Sequence, residues 1–247
     1  MSDILLKRDG AVLEIRFNRP AKKNAITNDM YAIMADALAD AENDPETRAI
    51  LFTGEGDFFS AGNDLMDFAA QSSGAFAGPR HVGRFLENMI NALKPIVAGV
   101  VGNGVGVGTT MLLHCDLVYI AEGAKLTTPF IDLGLVPENA SSMTIVDRLG
   151  HARAFALLGM NEPLYGKDAA LYGLANAALP AAEVEPRARA AAQALAKKPA
   201  EALRLTKKLM RDRGVLMERM RHEGDIFAER LKSPEAAAAF AAFLGRK

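Results

Sequence analysis

The sequence predicts an α/β fold that ends in a helical region. Short strand-like runs alternate with amphipathic helical patterns through about residue 190, an order typical of α/β proteins. After Pro180 the strand signals stop, and the remaining chain is alanine-rich and helical, with breaks expected at Pro199, Gly214 and Pro234. We therefore expect a core domain at residues 1–190 and a C-terminal helical region at residues 191–247, which packs on the core or on a neighbouring subunit.

The first elements of the body have clear local patterns. Val12–Phe17 alternates apolar and polar residues directly after the turn dipeptide Asp9-Gly10, which predicts a strand. Apolar residues at helical spacing begin at Met30, and Thr27, Asn28 and Asp29 precede them as candidate N-caps. A strand followed by a capped helix is therefore expected near the start.

The middle of the chain continues the alternation. Ala49–Thr53 is an apolar run that predicts a buried strand, and an amphipathic helix is expected from Val82 to the dipeptide Lys94-Pro95. Two more strands are expected in "IVAGVV" and "CDLVYIA", with a glycine-rich loop and a short helix between them.

Composition and charge exclude several classes of function. The chain has 29 basic and 30 acidic residues and a net charge of −1, so nucleic acid is not an expected partner. The single cysteine, Cys115, excludes an internal disulfide and suits a reducing compartment. The start "MSDILLKRDG" lacks an apolar signal-peptide core, and the longest apolar stretch is interrupted by glycines and Asn103. We expect a cytoplasmic protein without a membrane partner.

The glycine-rich segment "GNGVGVGTT", residues 102–110, fits neither common nucleotide motif. A dinucleotide fingerprint would need glycine where Val107 stands, and a P-loop would need a lysine that the segment lacks. Two interpretations remain open. The glycines allow close backbone packing, or the segment forms a strand-to-helix turn whose unpaired N–H groups face a ligand.

A second turn of this kind is expected at "FFSAGNDL", residues 58–65, where small residues allow close approach of another chain or a ligand. Asn63 and Asp64 are also ordinary helix-capping residues. Hydrolase and metal sites find little support, because no Gly-x-Ser-x-Gly segment occurs and the four histidines are scattered without metal-ligand spacing.

Glu138 is a charged residue at the end of an apolar run, in "TTPFIDLGLVPENASS". A glutamate after a proline at a helix start is favoured by the helix dipole by about 0.3–1 kcal/mol, which is the simplest explanation. The dipole would lower the pKa of the carboxyl group, so a useful catalytic base would also need desolvation by apolar neighbours.

Together these segments resemble the crotonase superfamily, the enoyl-CoA hydratase/isomerase fold. The resemblance lies in "NRPAKKNAIT", "FFSAGNDL", "KPIVAGVVGNGVGVG", "CDLVYIAEGAKLTTPFIDLGLVP" and "GKDAALYGLANAALP", in this order along nearly the whole chain. It implies a spiral of repeated ββα units with a C-terminal helical region, and an assembly of three subunits or a hexamer (dimer of trimers). It also implies acyl-coenzyme A thioesters as substrates, with no cofactor and no metal.

The resemblance assigns roles to individual residues. Two backbone N–H groups, those of Asn63 and Val107, would hold the thioester oxygen as it becomes an enolate. The residues implied to contact the substrate or its coenzyme A part are Lys23, Asn24, Ala25, Ala61, Gly62, Asp64, Leu65, Gly106 and Phe130. Lys207 and Lys208 in the tail are further candidates for a phosphate contact.

The carboxylates discriminate between the reactions of the superfamily. Hydratases use two glutamates, and the motif places Thr110 and Phe130 at those positions here. Glu138 instead matches the "PFxxLG…PE…SS" pattern of peroxisomal-type Δ3,Δ2-enoyl-CoA isomerases. A lone carboxylate in an apolar pocket suffices to move one proton, as a single aspartate base does in ketosteroid isomerase, a well-known example of this chemistry. An enoyl-CoA isomerase of fatty-acid β-oxidation is therefore expected, with an enoyl-CoA hydratase or a non-catalytic acyl-CoA-binding protein as alternatives.

Overall fold

The computed structural model describes residues 2–67 and 78–244, and the side chains of that range through residue 242. Within this part the chain forms two β-sheets surrounded by helices. The strands are β1 (Ile4–Asp9), β2 (Val12–Phe17), β3 (Ala49–Gly54), β4 (Phe58–Ser60), β5 (Ile96–Val100), β6 (Asn103–Val105), β7 (Leu117–Ala121), β8 (Lys125–Thr127), β9 (Leu164–Tyr165) and β10 (Ala177–Leu179).

The helices of the described part are α1 (Asn28–Asn43), α2 (Val82–Asn91), α3 (Val107–Thr110), α4 (Ser141–Leu149), α5 (His151–Gly159), α6 (Gly166–Leu171), α7 (Ala181–Ala196), α8 (Ala200–Met210), α9 (Arg213–Leu231) and α10 (Pro234–Leu244). Short 3₁₀ turns lie at Pro20–Lys22, Met111–His114 and Ile131–Leu133. The predicted α/β fold is confirmed.

From β3 to β8, successive strands alternate between the two sheets. The larger sheet has the order β1-β2-β3-β5-β7-β10, and the smaller sheet has the order β4-β6-β8-β9. Three strands of the larger sheet are each followed directly by a strand of the smaller one, since β3 leads to β4, β5 to β6, and β7 to β8. The pairs β3–β5, β5–β7, β4–β6 and β6–β8 are all parallel. This is the spiral of repeated units that the resemblance implied.

Local patterns gave the first helix and the first strands correctly. Val12–Phe17 is a strand as predicted, and it pairs antiparallel with β1 across the Asp9-Gly10 turn. The hydroxyl of Thr27 accepts a hydrogen bond from the Met30 N–H at 3.3 Å, which caps α1. The buried face of α1 packs on α2, and β3, which lies between β2 and β5 in the larger sheet, is buried along its whole length.

The last strand ends at Leu179, which agrees with the loss of strand signals after Pro180. Helix α7 packs against β3, β5 and β7, so the predicted boundary at residue 190 lies inside a helix of the core. The division of the chain at that residue stays a prediction. The expected breaks at Pro199 and Pro234 are confirmed, because α8 begins directly after Pro199 and α10 begins at Pro234. The expected break at Gly214 is wrong, because α9 already begins at Arg213, capped by the side chain of Asp212.

Helices long and apolar enough to cross a membrane do not occur among residues 2–67 and 78–244.

Candidate active site

Three predicted site residues lie beyond the carboxyl ends of neighbouring strands. In the smaller sheet Ser60 pairs with Gly104, and Gly104 pairs with Leu126. Because β4, β6 and β8 run parallel, the segments that follow them leave the sheet at the same edge. Those segments carry Asn63, Val107 and Phe130, so the spiral brings together residues that are far apart in the sequence.

Glycine is required where the first two of these segments meet. Gly62 has φ = +82°, and a Cβ atom at this position would lie 2.6 Å from the carbonyl oxygen of Val105. Gly106 has φ = +55° and ψ = −120°, a region that side-chain-bearing residues avoid, and α3 starts at the next residue. The close backbone packing of the first interpretation is therefore present, and so is the strand-to-helix turn of the second.

The backbone N–H groups of Asn63 and Val107 are the predicted oxyanion donors. Neither donates a hydrogen bond to a residue of the described part of the chain. Val107 is the first residue of α3, where an N–H group has no partner within the helix. In contrast, the neighbouring N–H groups of Gly62, Asp64 and Gly106 are all occupied. The two predicted donors thus stay available to an external acceptor.

Glu138 lies in a cavity of about 360 Å³ between α1, α2 and α9, which we call the Glu138 cavity. Asn63 also lines this cavity, together with apolar side chains that include Leu86 and Phe227. A smaller cavity of about 120 Å³, the Val107 cavity, is lined by Val107, Gly106 and Phe130. The two cavities have Asn63 and Phe227 in common. A ligand that joins them would pass Asn63.

The sequence left open whether the helix dipole lowers the pKa of Glu138 or desolvation raises it. The residue is only 9% exposed. Burial raises the pKa of Glu138 to about 7, the charge of Glu223 adds to the rise, and a long hydrogen bond from Thr110 at 3.4 Å opposes it. Desolvation therefore outweighs any helix dipole. A carboxylate with a pKa near neutrality is well matched to accept and return a proton.

The turn after Glu138 has an unusual backbone. Asn139 and Ala140 both have positive φ angles, 64° and 55°, which cost free energy in residues other than glycine. The buried ring of His114 binds the carbonyl oxygen of Asn139 through Nε2 at 2.8 Å, while Arg211 donates to Nδ1 at 2.6 Å. Because guanidinium only donates, the proton of His114 lies on Nε2. Burial and the Arg211 charge lower the pKa of His114 to about 3.

Glu223 is a site residue that the sequence analysis missed. It lies on α9, is 5% exposed, and its Oε1 accepts a hydrogen bond from the Ser142 N–H at 2.9 Å. Its charge acts on Glu138, so the expectation of a lone carboxylate at this place is wrong. No sequence signal identifies Glu223, because a glutamate in a charged helix is ordinarily solvated.

Tyr31 is a second residue that the sequence did not reveal. Its hydroxyl donates a hydrogen bond to the side-chain oxygen of Asn63 at 2.5 Å. Burial raises the pKa of Tyr31 well above its usual value, and the nearby charge of Glu138 adds to this. A tyrosine on the apolar face of a helix is typical of any core, so its position next to Asn63 emerged only from the tertiary structure.

Three of the residues expected to contact coenzyme A, Lys23, Asn24 and Ala25, lie in one loop next to β4. Lys23 is exposed and its ammonium lies 5.1 Å from the centre of the Phe58 ring. Asn24 is fully buried, and its side-chain amide binds three backbone groups, those of Arg19, Glu55 and Phe58. Asn24 therefore shapes the loop and has no spare amide hydrogen for a ligand.

The remaining candidates in this region divide by chemistry. Ala25 and Ala61 are half-buried, and Ala61 and Leu65 line the Val107 cavity. Asp64 lines the Glu138 cavity and forms an ion pair with Arg19 at 2.6 Å. Burial tends to raise the pKa of Asp64, but the hydrogen bond and charge of Arg19 together with the backbone N–H of Met66 outweigh it, and the pKa is lowered. Asp64 therefore stays ionised next to the cavity.

The suggestion that Lys207 reaches a phosphate is wrong. Its ammonium is buried between α8 and the core, where it forms an ion pair with Asp116 at 2.7 Å and a hydrogen bond to the carbonyl oxygen of Lys94 at 2.8 Å. Lys208, the next residue, is exposed. The periodicity of a helix distinguishes the two neighbours, but the sequence contains no sign of the acidic partner.

A cluster of three or more histidine, cysteine, aspartate or glutamate residues that could hold a metal ion does not occur in the described ranges. Cys115 is buried, and desolvation raises the pKa of its thiol to about 12. It is a small residue of the hydrophobic core.

The family model for enoyl-CoA hydratase/isomerase matches residues 7–246. The chain belongs to the enoyl-CoA hydratase/isomerase family. The solved structure of OdaA from Pseudomonas aeruginosa has a TM-score of 0.93 and 42% sequence identity, and the match covers 98% of this chain and 99% of that one. The crotonase fold predicted from the resemblance is thereby confirmed.

Curated relatives within the enoyl-CoA hydratase/isomerase family carry both activity names. Enoyl-CoA delta isomerase 2 of Rattus norvegicus is 37% identical over 212 residues, which cover 84% of this chain and 54% of that protein. The chain thus spans little more than half the length of this relative. The probable enoyl-CoA hydratase of Bacillus subtilis (strain 168) is 32% identical over 244 residues, 96% of this chain and 93% of that protein.

Proposed function

We propose that the protein is a Δ3,Δ2-enoyl-CoA isomerase, which moves a β,γ double bond of an acyl-CoA to the α,β position. The observation that carries the proposal is the buried carboxyl group of Glu138, with its pKa raised to about 7, in a largely apolar cavity that also contains Asn63. Moving a double bond by one position needs a single group that removes a proton and returns it elsewhere.

In this proposal the thioester lies where the two cavities meet. The unoccupied N–H groups of Asn63 and Val107 hold its oxygen. Glu138 removes a proton from C2, negative charge moves onto that oxygen, and the protonated Glu138 returns the proton to C4. Loss of one such donor typically lowers the rate by about 10²–10³-fold. Coenzyme A is part of the substrate, and no separate cofactor enters the reaction.

The residues at the two positions where a hydratase has its glutamates support isomerisation over hydration. Thr110 and Phe130 stand where the resemblance places the two glutamates of a hydratase. Thr110 donates a hydrogen bond to Glu138, and Phe130 packs with Leu135 and Ala236 in a small apolar cluster. Glu223 is not among the described residues that line the Glu138 cavity, and one of its oxygens is bound to the start of α4. Neither of the two hydratase positions therefore offers a carboxylate to an attacking water.

Two parallel assays test the proposal. The wild-type protein is expected to convert a 3-enoyl-CoA to the trans-2 isomer and to hydrate trans-2-enoyl-CoA slowly. Glu138→Gln is expected to abolish turnover and to retain acyl-CoA binding, whereas Glu162→Gln, at an exposed position, serves as the matched control. Rapid hydration with negligible isomerisation would favour the hydratase alternative. Absence of both activities would favour a non-catalytic acyl-CoA-binding protein.

Partners and location belong to the same proposal. Lys22 and Lys23 are exposed beside the loop and would meet the phosphates of coenzyme A. A homotrimer or a dimer of trimers is proposed because Leu205, Leu209 and Met210 of α8 are 42%, 88% and 79% exposed, which is costly for apolar side chains. Light scattering of the purified protein would measure the assembly. We place the enzyme in the cytoplasm, in fatty-acid β-oxidation.

A further inference from the structure

The carboxylate of Glu138 is attached to a turn that the local sequence does not stabilise. Helix α4 begins three residues later, at Ser141, and its N-cap residue is Ala140, which has no side-chain oxygen to accept a hydrogen bond. Asn139 and Ala140 both have left-handed backbone conformations. Strained residues of this kind persist only where the surrounding structure holds them.

Glu223 supplies the missing cap from a distant part of the sequence. Its Oε1 accepts the N–H of Ser142, the second residue of α4, at 2.9 Å. The residue comes from α9, 81 positions further along the chain. A carboxylate at the N-terminus of a helix both satisfies an unpaired donor and interacts favourably with the helix dipole. Glu223 therefore replaces the capping side chain that Ala140 lacks.

We infer that Glu223 is a positioning residue for Glu138, which holds the turn carrying Glu138 and keeps a second negative charge beside it. This inference rests on the proposed function only where it concerns turnover. The geometric and electrostatic coupling of the two carboxylates does not depend on which reaction the protein catalyses.

The two effects of Glu223 serve the proton transfer in different ways. The hydrogen bond to Ser142 fixes the start of α4 and with it the direction of the preceding residues. The charge disfavours the ionised form of Glu138, so it strengthens this carboxylate as a base and stabilises its protonated form during the reaction. Helix α9 therefore forms part of the cavity wall and, through Glu223, also affects the proton transfer.

Other titratable groups also lie around Glu138. Tyr31 faces it from α1, and Arg219 lies near Glu223 on α9. Further charged side chains line the same cavity: Asp64, Asp67, Arg80, Arg221 and Asp225. His114 beneath the turn is neutral, because its pKa is about 3. The charge of Glu223 acts on Glu138 and adds to the rise in pKa that burial causes.

Two substitutions separate the hydrogen bond from the charge. Glu223→Gln removes the charge and keeps an oxygen that accepts from Ser142, whereas Glu223→Ala removes both. Glu218→Gln is the matched control, since Glu218 is an exposed glutamate on the same helix. The full-length protein is labelled with ¹³C at the glutamate carboxyl groups and titrated by NMR, and the Glu138→Gln variant identifies the signal of Glu138.

We expect Glu223→Gln to lower the titration midpoint of Glu138 by about one pH unit. The acid limb of kcat/KM for a 3-enoyl-CoA moves to lower pH by the same amount, and KM stays unchanged. Glu223→Ala shows this shift and in addition loses about tenfold or more in kcat, because the turn is released. Glu218→Gln changes none of these quantities.

An unchanged midpoint of Glu138 in Glu223→Gln overturns the inference. If that variant does not fold, the wild-type titration decides, because coupled carboxylates titrate in two steps and each signal responds to the other group. A single-step curve for Glu138 then overturns it. The proposed function fails separately, when the wild type does not isomerise a 3-enoyl-CoA, and the NMR titration remains decisive for the coupling in that case.

Discussion

The hydroxyl of Tyr31 donates a hydrogen bond of 2.5 Å to the side-chain oxygen of Asn63, and this bond ties helix α1 to the segment after β4. Asn63 is joined to the same region by a bridge to Ile26. The side chain of Asn63 is therefore held by Tyr31, while its backbone N–H makes no hydrogen bond within the described part of the chain. Preorganised donors of this kind contribute most to stabilising a developing negative charge.

Replacing Tyr31 by phenylalanine tests the importance of this bond. Tyr31→Phe removes the hydroxyl and leaves the ring in its buried place between α1 and α2, so the Asn63 segment loses one restraint. We expect kcat for a 3-enoyl-CoA to fall about tenfold, with little change in KM, because the bond orients a donor that acts in the transition state. Tyr165→Phe, at a position 42% exposed, is the control. A kcat equal to that of the wild type would show that the orientation of Asn63 does not depend on Tyr31.

Glu138→Gln is expected to stabilise the protein at high pH. The folded-state pKa of Glu138, about 7, lies above the ordinary value of 4.5. Its contribution to stability is therefore fully present below about pH 4.5 and is lost as the pH rises through about 7. Urea unfolding should show the variant more stable than the wild type by about 2 kcal/mol at about pH 8, with the difference shrinking towards about pH 5. A difference independent of pH would contradict the raised pKa.

Gly62→Ala tests the close approach that aligns the two oxyanion segments. The new Cβ would lie 2.6 Å from the carbonyl oxygen of Val105, and the residue would keep a positive φ. Gly10→Ala is the matched control, since Gly10 also has a positive φ and nothing within 4 Å of the Cβ position. We expect the control to lose about 1 kcal/mol of unfolding free energy. Gly62→Ala should lose about 2–4 kcal/mol together with most of its activity. Equal losses in the two variants would show that crowding at Gly62 is relieved easily.

Lys207→Ala is expected to destabilise the fold without a specific effect on substrate affinity. The substitution leaves the half-buried carboxylate of Asp116 without its cation, which is expected to cost about 1–3 kcal/mol. Lys208→Ala, one residue further on the exposed side of α8, should change stability by less than about 0.5 kcal/mol. Urea unfolding and KM for acyl-CoA are measured for both variants. A large rise in KM for Lys207→Ala with unchanged stability would restore a role in phosphate binding.

The sequence by itself determined the parts of this protein that depend on local patterns. Strand alternation at Val12–Phe17, the cap at Thr27 and the end of strands near Pro180 follow from residue order, because each depends on neighbours within one turn or one strand. Motifs at set spacing identified the family and led to Asn63, Val107 and Glu138. Such signals survive in a linear chain, because backbone geometry couples residues only a few positions apart.

Only the tertiary structure decided the electrostatics of the site. Glu223 and Glu138 are 85 positions apart in the sequence, and neither their proximity nor the burial that raises the pKa of Glu138 can be inferred from local patterns. Three further contacts also could not be inferred from local patterns. They are the hydrogen bond from Tyr31 to Asn63, the ion pair of Lys207 with Asp116, and the hydrogen bond from His114 to the carbonyl oxygen of Asn139. Desolvation and Coulomb interactions depend on distance in space, and the spiral of the chain sets those distances.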